Sequence, residues 1–174
     1  YDSGGIPVIA HPYDIDIELI LKTLKKRFGN EYVCLFRLHP NIVYTADKYR
    51  YDSRIINAGF YEDMMELLVA ADVLITDYSS SVYDYILTQK KVFIYANDIE
   101  RYVNEDRGVN ISFDELPFQI ARSNEELISD IMCYDEEVWI KRMNQFCEKM
   151  GYCDDGNASK RVAKLILEKC SSKM

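Results

Sequence analysis

A chain of 174 residues is long enough to bury a full hydrophobic core, and 48% hydrophobic with 29% charged residues is the make-up of a folded globular domain. A formal net charge of −8 argues against gripping nucleic acid or an anionic membrane over a broad face, and no apolar run approaches the roughly eighteen residues needed to cross a bilayer. Five cysteines, at 34, 133, 147, 153 and 170, contain no Cys-x-x-Cys pair, so neither a zinc site nor a disulfide framework is indicated and reduced thiols in cytoplasm are the simple reading.

The opening Tyr1-Asp2-Ser3-Gly4-Gly5, without an initiator methionine or an apolar leader, suggests a piece of something longer, its missing part upstream. After the Gly-Gly turn, Ile6 to Ala10 reads as a short strand. Asp16 to Phe28 reads as a helix, with Ile17, Ile20, Leu21, Leu24 and Phe28 at helical spacing and Gly29 to close it. Tyr32 to Leu38 is a buried strand stopped by Pro40, and Ile55 to Ala58 a short third strand. Asp63 to Ala70 is a helix leading into the strand Val73 to Thr76. Ser80 to Thr88 reads as helix and Val92 to Tyr95 as strand. Strands separated by helices predict an α/β fold, a Rossmann-like parallel sheet with helices on both faces. Asn97 to Pro117 is polar and aperiodic, a loop of about 20 residues of the kind that is usually functional or mobile. Ser123-Asn124-Glu125-Glu126 is a capping box for a helix to about Cys133. Glu136 to Cys147, carrying the core candidate Trp139, and Ala158 to Cys170, with Val162, Leu165 and Ile166 on one face, are two further helices that predict helical packing at the carboxyl end. The chain reads as one domain, 1–174, with no internal repeat.

Two strand ends carry chemistry. Val73 to Ile75 runs into Asp77-Tyr78-Ser79-Ser80-Ser81, three hydroxyl residues opening a helix. Unpaired N–H groups and the positive end of a dipole there suit a phosphate, whereas the plainer reading is a serine-capped helix. The strand Val33 to Leu38 delivers Arg37 and His39 at its carboxyl end. Ligands of open α/β sheets sit outside the carboxyl ends of the strands, so both features can face one crevice and serve a diphosphate. Arg37 and His39 lie two positions apart and share a strand face, although Arg37 can equally pair with a carboxylate. An ionised Asp77 repels phosphate, so it either braces the loop or meets an acceptor hydroxyl. Asp84, one turn into the helix, favours the dipole. His11 precedes Pro12 at the end of the first strand, and Arg107 with Gly108 sits in the long loop, as a diphosphate ligand or a solvated pair.

Arg37-Leu38-His39-Pro40, Ala71-Asp72-Val73-Leu74-Ile75-Thr76-Asp77-Tyr78-Ser79-Ser80, Arg107-Gly108 and Asp154-Asp155-Gly156-Asn157-Ala158-Ser159-Lys160-Arg161 resemble, in that order, the carboxyl-terminal half of the CDP-glycerol glycerophosphotransferase family, bacterial enzymes that prime or polymerise teichoic acids. The resemblance runs from Glu31 to Leu167. It implies two Rossmann-like domains of the GT-B glycosyltransferase type facing across a cleft, with this chain as the donor-nucleotide half. It implies His39 as the catalytic residue at the donor diphosphate and Arg37, Asp77, Ser79, Ser80, Ser81 and Arg107 as donor-binding residues. The reaction implied is transfer of glycerol phosphate from CDP-glycerol to a polyol-phosphate or glycan-lipid acceptor, with the acceptor base in an upstream domain and this piece by itself weakly active or inactive. No metal or cofactor is expected, nor a nucleic-acid partner. The location implied is cytoplasmic, peripheral on the inner face of the membrane through the missing part. One departure is Ala10-His11-Pro12-Tyr13-Asp14, where family members commonly carry threonine, tryptophan and arginine. A different GT-B nucleotide-sugar glycosyltransferase and a non-catalytic nucleotide-binding module are the alternatives.

Overall fold

The computed structural model describes residues 14–101 and 116–171. The strand expected over Ile6 to Ala10, His11, Arg107 and Gly108 therefore lie outside the described residues. The first helix, α1 (Ile17–Phe28), starts where the Asp16 carboxylate accepts from the Leu19 amide at 2.9 Å. It ends where Gly29, at φ 82, turns left-handed and donates to the Lys25 carbonyl. Its buried stripe is Ile20, Leu21 and Leu24.

The described strands are all parallel but form two sheets. β1 (Cys34–Phe36) pairs with β2 (Ile55–Asn57), Cys34 opposite Ile55. β3 (Val73–Thr76), β4 (Lys91–Tyr95) and β5 (Ile120–Ala121) form the other, in that order. Among the described residues, β1 and β3 each stand at the edge of a sheet. Side chains alternate along β4 as its pleat requires. Phe93 and Tyr95 join Ile20 and Leu24 of α1 and Leu127 and Ile131 of α5 (Asn124–Met132) on one face. Val92 and Ile94 join Val82, Tyr85 and Ile86 on the other, with Trp139, Met143 and Phe146 of α6 (Glu136–Met150). Helices on both faces of a parallel sheet, and Trp139 in the core, are as the sequence predicts. α2 (Met64–Ala70) starts at Asp63, whose carboxylate accepts from the Met65 amide at 2.8 Å.

Asn124 ties the two helices of one layer together. Its side chain accepts from the Asp16 amide at 2.8 Å and donates to the Asp14 carbonyl at 2.9 Å, at the starts of α5 and α1. The expected capping box is half formed. Ser123 accepts from the Glu126 amide, but the Glu126 carboxylate reaches back to the amide of Arg122 at 2.7 Å rather than to that of Ser123.

Several expectations are corrected. The helix expected over Ser80 to Thr88 is α3 (Ser81–Tyr85), only five residues, followed by a 3-10 turn Ile86–Thr88 that ends at Gln89 with φ 57. A 3-10 helix, Pro40–Lys48, follows β1 and lays Ile42 and Ala46 against Leu38 and Phe36. The segment after β4 contains a short helix, α4 (Ile99–Arg101), and leads to the unanticipated β5. The last helix, α7 (Ala158–Ser171), buries none of its residues; Val162, Leu165 and Ile166 are 55–56% exposed. The helical packing expected at the carboxyl end stops at α6.

Candidate functional site

Parallel strands send their carboxyl ends to one edge of their sheet; β1 delivers Arg37 and His39 beyond the carboxyl edge of its sheet, and β3 delivers Asp77 to Ser81 beyond that of the other. His39 is exposed, and its carbonyl accepts from the Ile42 amide at 2.9 Å, which starts the 3-10 helix directly behind Pro40. The chain therefore turns away at this point and leaves the imidazole at the strand end.

Arg37 is half-buried and braces the neighbouring strand exit. Its Nη1 donates to the Ala58 carbonyl at 2.9 Å and to the Tyr61 carbonyl at 2.6 Å, holding the turn that follows β2. A guanidinium offers five donors in a fixed fork, so this bracing occupies only one nitrogen.

The serine run is internally wired. Asp77 accepts from the Ser79 amide at 2.8 Å, which is the loop-bracing role of the two readings for this carboxylate. Ser79 Oγ accepts from the Ser81 hydroxyl at 3.0 Å and more loosely from the Ser81 amide at 3.4 Å. Ser80 takes the position before α3, is exposed, and makes no side-chain capping bond. Of the two readings, capping is at most partial: Ser79 caps weakly and Ser80 not at all. A five-residue helix also carries little macrodipole, so any anion here is held by hydroxyl and amide donors more than by the dipole.

Two features were not visible in residue order. Tyr78 places its hydroxyl 3.4 Å from both carboxylate oxygens of Asp98, linking the exits of β3 and β4. The turn from Ala58 to Tyr61 has its own fastening, since the Tyr61 hydroxyl donates to Glu66 at 2.6 Å. That bond and the Glu66 charge hold the phenol proton above its ordinary range. A cavity of about 530 Å³ lined by Asn30, Glu31, Tyr32, Asp72, Lys90 and Lys91 lies at the amino ends of β1, β3 and β4. It is at the wrong end of the strands for the crevice rule. Among the described residues no group of three or more His, Cys, Asp or Glu side chains is placed to hold a metal ion.

Residues 7–168 match the family of CDP-glycerol:poly(glycerophosphate) glycerophosphotransferases. The chain belongs to this family. It is 29% identical over 159 residues to the teichoic acid glycerol-phosphate transferase of Staphylococcus aureus, covering 90% of this chain and 40% of that protein. It is also 29% identical over 169 residues to the teichoic acid poly(ribitol-phosphate) polymerase of Bacillus spizizenii, covering 96% and 26%. Among solved structures, the wall teichoic acid polymerase TagF, as a variant soaked with CDPG, superposes with a TM-score of 0.70 at 28% identity over 91% of this chain and 40% of that one. The chain thus spans two fifths or less of the length of those proteins. No described helix is long and apolar enough to cross a membrane.

Proposed function

We propose that this chain is the donor-binding part of a GT-B type transferase that moves glycerol phosphate from CDP-glycerol to a hydroxyl of a teichoic-acid-type acceptor. The observation that carries the reading is the placement of His39 and of Ser79 and Ser80 at carboxyl ends of parallel strands in a chain of this family. The acceptor oxygen attacks the β-phosphorus, and the bond from that phosphorus to the CMP oxygen breaks. CMP leaves, and the acceptor proton passes to a base in the acceptor-binding part of the complete enzyme. Ser79, Ser80, Ser81, Arg37 and Arg107 hold the diphosphate; Asp77 sets the serine loop. His39 donates to the leaving CMP as charge develops on it. The site works without a metal or cofactor. The complete enzyme acts at the cytoplasmic face of the membrane, where a lipid-linked acceptor is presented.

Binding through the charged tail means CDP should raise the melting temperature of the chain more than cytidine at equal concentration, each ligand stabilising by RT ln(1 + [L]/Kd). A thermal-shift panel with CDP, CMP, cytidine and UDP-sugars reads this. Equal shifts from cytidine and CDP would remove the diphosphate argument, and a UDP-sugar as the strongest stabiliser would move the donor to another class.

Replacing Ser79 and Ser80 together by alanine is expected to cost about 1–3 kcal/mol in CDP binding, the worth of lost hydroxyl donors to a charged group. The loss of fold stability is expected below about 1 kcal/mol, because Ser80 makes no capping bond and Ser79 only a long one. Calorimetry beside thermal melts separates the two. A lower melting temperature with unchanged CDP affinity would make these serines caps and nothing more.

A further inference from the structure

We propose that Phe60 is the platform on which the pyrimidine ring of the donor nucleotide stacks, an inference that rests on the donor reading above and adds to it a residue for the base. Single exposed apolar residues are ordinary on protein surfaces and need no explanation. Phe60 differs in its exposure, its fastening and its position. It is 77% exposed, on the turn that leaves β2 at the same edge of the sheet as His39.

The turn beneath it is held from every side. Arg37, two residues before His39, donates to the carbonyls of Ala58 and Tyr61 on either side of Phe60. The Ala58 amide donates to the Phe36 carbonyl at 2.8 Å, the Tyr61 amide to the Ala58 carbonyl at 3.2 Å, and the Gly59 amide to Asn57 Oδ1 at 2.9 Å. Gly59 also packs so tightly that a Cβ there would come within 3.0 Å of Val43 Cγ2. A large apolar ring is thus presented to solvent on a fastened backbone, so binding a partner has only the side chain left to order.

Charge selects which part of the donor meets it. Glu62 and Asp63 come two and three residues after Phe60, and Glu66 three residues after Asp63, so an anionic phosphate gains nothing by meeting this ring whereas the neutral base meets no repulsion there. Shape selects further, since the glycerol end of the donor has no flat face, whereas every nucleobase has one that an aromatic ring can stack on.

The test is calorimetry on the 174-residue chain and its Phe60→Ala and Phe60→Tyr variants, titrated with CDP and with inorganic pyrophosphate. Stacking predicts that Phe60→Ala weakens CDP roughly 5- to 150-fold and leaves pyrophosphate unchanged, while Phe60→Tyr binds CDP close to the parent chain. Because the side chain is exposed, the melting temperature should barely move. CDP bound equally by the parent and Phe60→Ala would overturn the platform and leave the donor reading standing. An equal loss of CDP and pyrophosphate would also overturn it, since that would mean the turn itself had collapsed. Failure of the parent chain to bind CDP would remove the donor reading and the platform together.

Discussion

In the complete enzyme, His39→Ala is expected to lower kcat about 10²–10³-fold while leaving donor affinity nearly unchanged. In the proposed reaction the leaving CMP gains charge only as the bond to the β-phosphorus breaks, so a donor aimed at that oxygen is worth more in the transition state than in the ground state. The position of His39 suits this role. It is exposed at the carboxyl end of β1, just before the chain turns into the 3-10 helix at Pro40. His39→Gln separates two forms of help, because glutamine donates a hydrogen bond but delivers no proton. Partial recovery of kcat means donation, and none means proton transfer or charge. Wild-type turnover by a folded His39→Ala protein would make this histidine a strand end only, and the catalytic role would pass to Arg37, Arg107 or the acceptor-binding part.

Leu127→Ala is expected to destabilise the domain by about 2–5 kcal/mol, lowering its melting temperature by roughly 10 °C. Leu127 is 0% exposed and sits where α5 meets Phe93 and Tyr95 of β4 and Ile20 and Leu24 of α1. Truncation there removes apolar contact from three elements at once. The surrounding side chains are held by a strand on one side and by the Asn124 bridge on another, so the cavity closes poorly. Urea unfolding with an unchanged m-value and a lower midpoint is the expected signature. A loss under about 1 kcal/mol would mean that α5 swings inward, and that the layer of α1 and α5 is looser than its contacts imply.

The residues that speak through local chemistry were legible in order along the chain. Asp16 and Gly29 announce the ends of α1, Asp63 and Ser123 the starts of α2 and α5, and the apolar runs at Val73 and Val92 the strands β3 and β4. These signals need only a residue and its neighbours within one turn of helix or a few steps of strand. The same is true of His39, Ser79 and Ser80, each of which follows an apolar run and therefore sits at a strand end.

What depends on partners distant in sequence was decided by the folded chain alone. Two-residue β5 is too short to show a period, and it is a strand only because β4 lies beside it. Arg37 is fastened to carbonyls 21 and 24 residues away, and a backbone acceptor has no residue type by which to be recognised. Phe60 is exposed on a turn that this clamp fastens together with local bonds, and the distant half of that fastening has no signature in sequence. The helix α7 has its amphipathic spacing whether or not anything covers it, because periodicity records which face is apolar and not what that face meets.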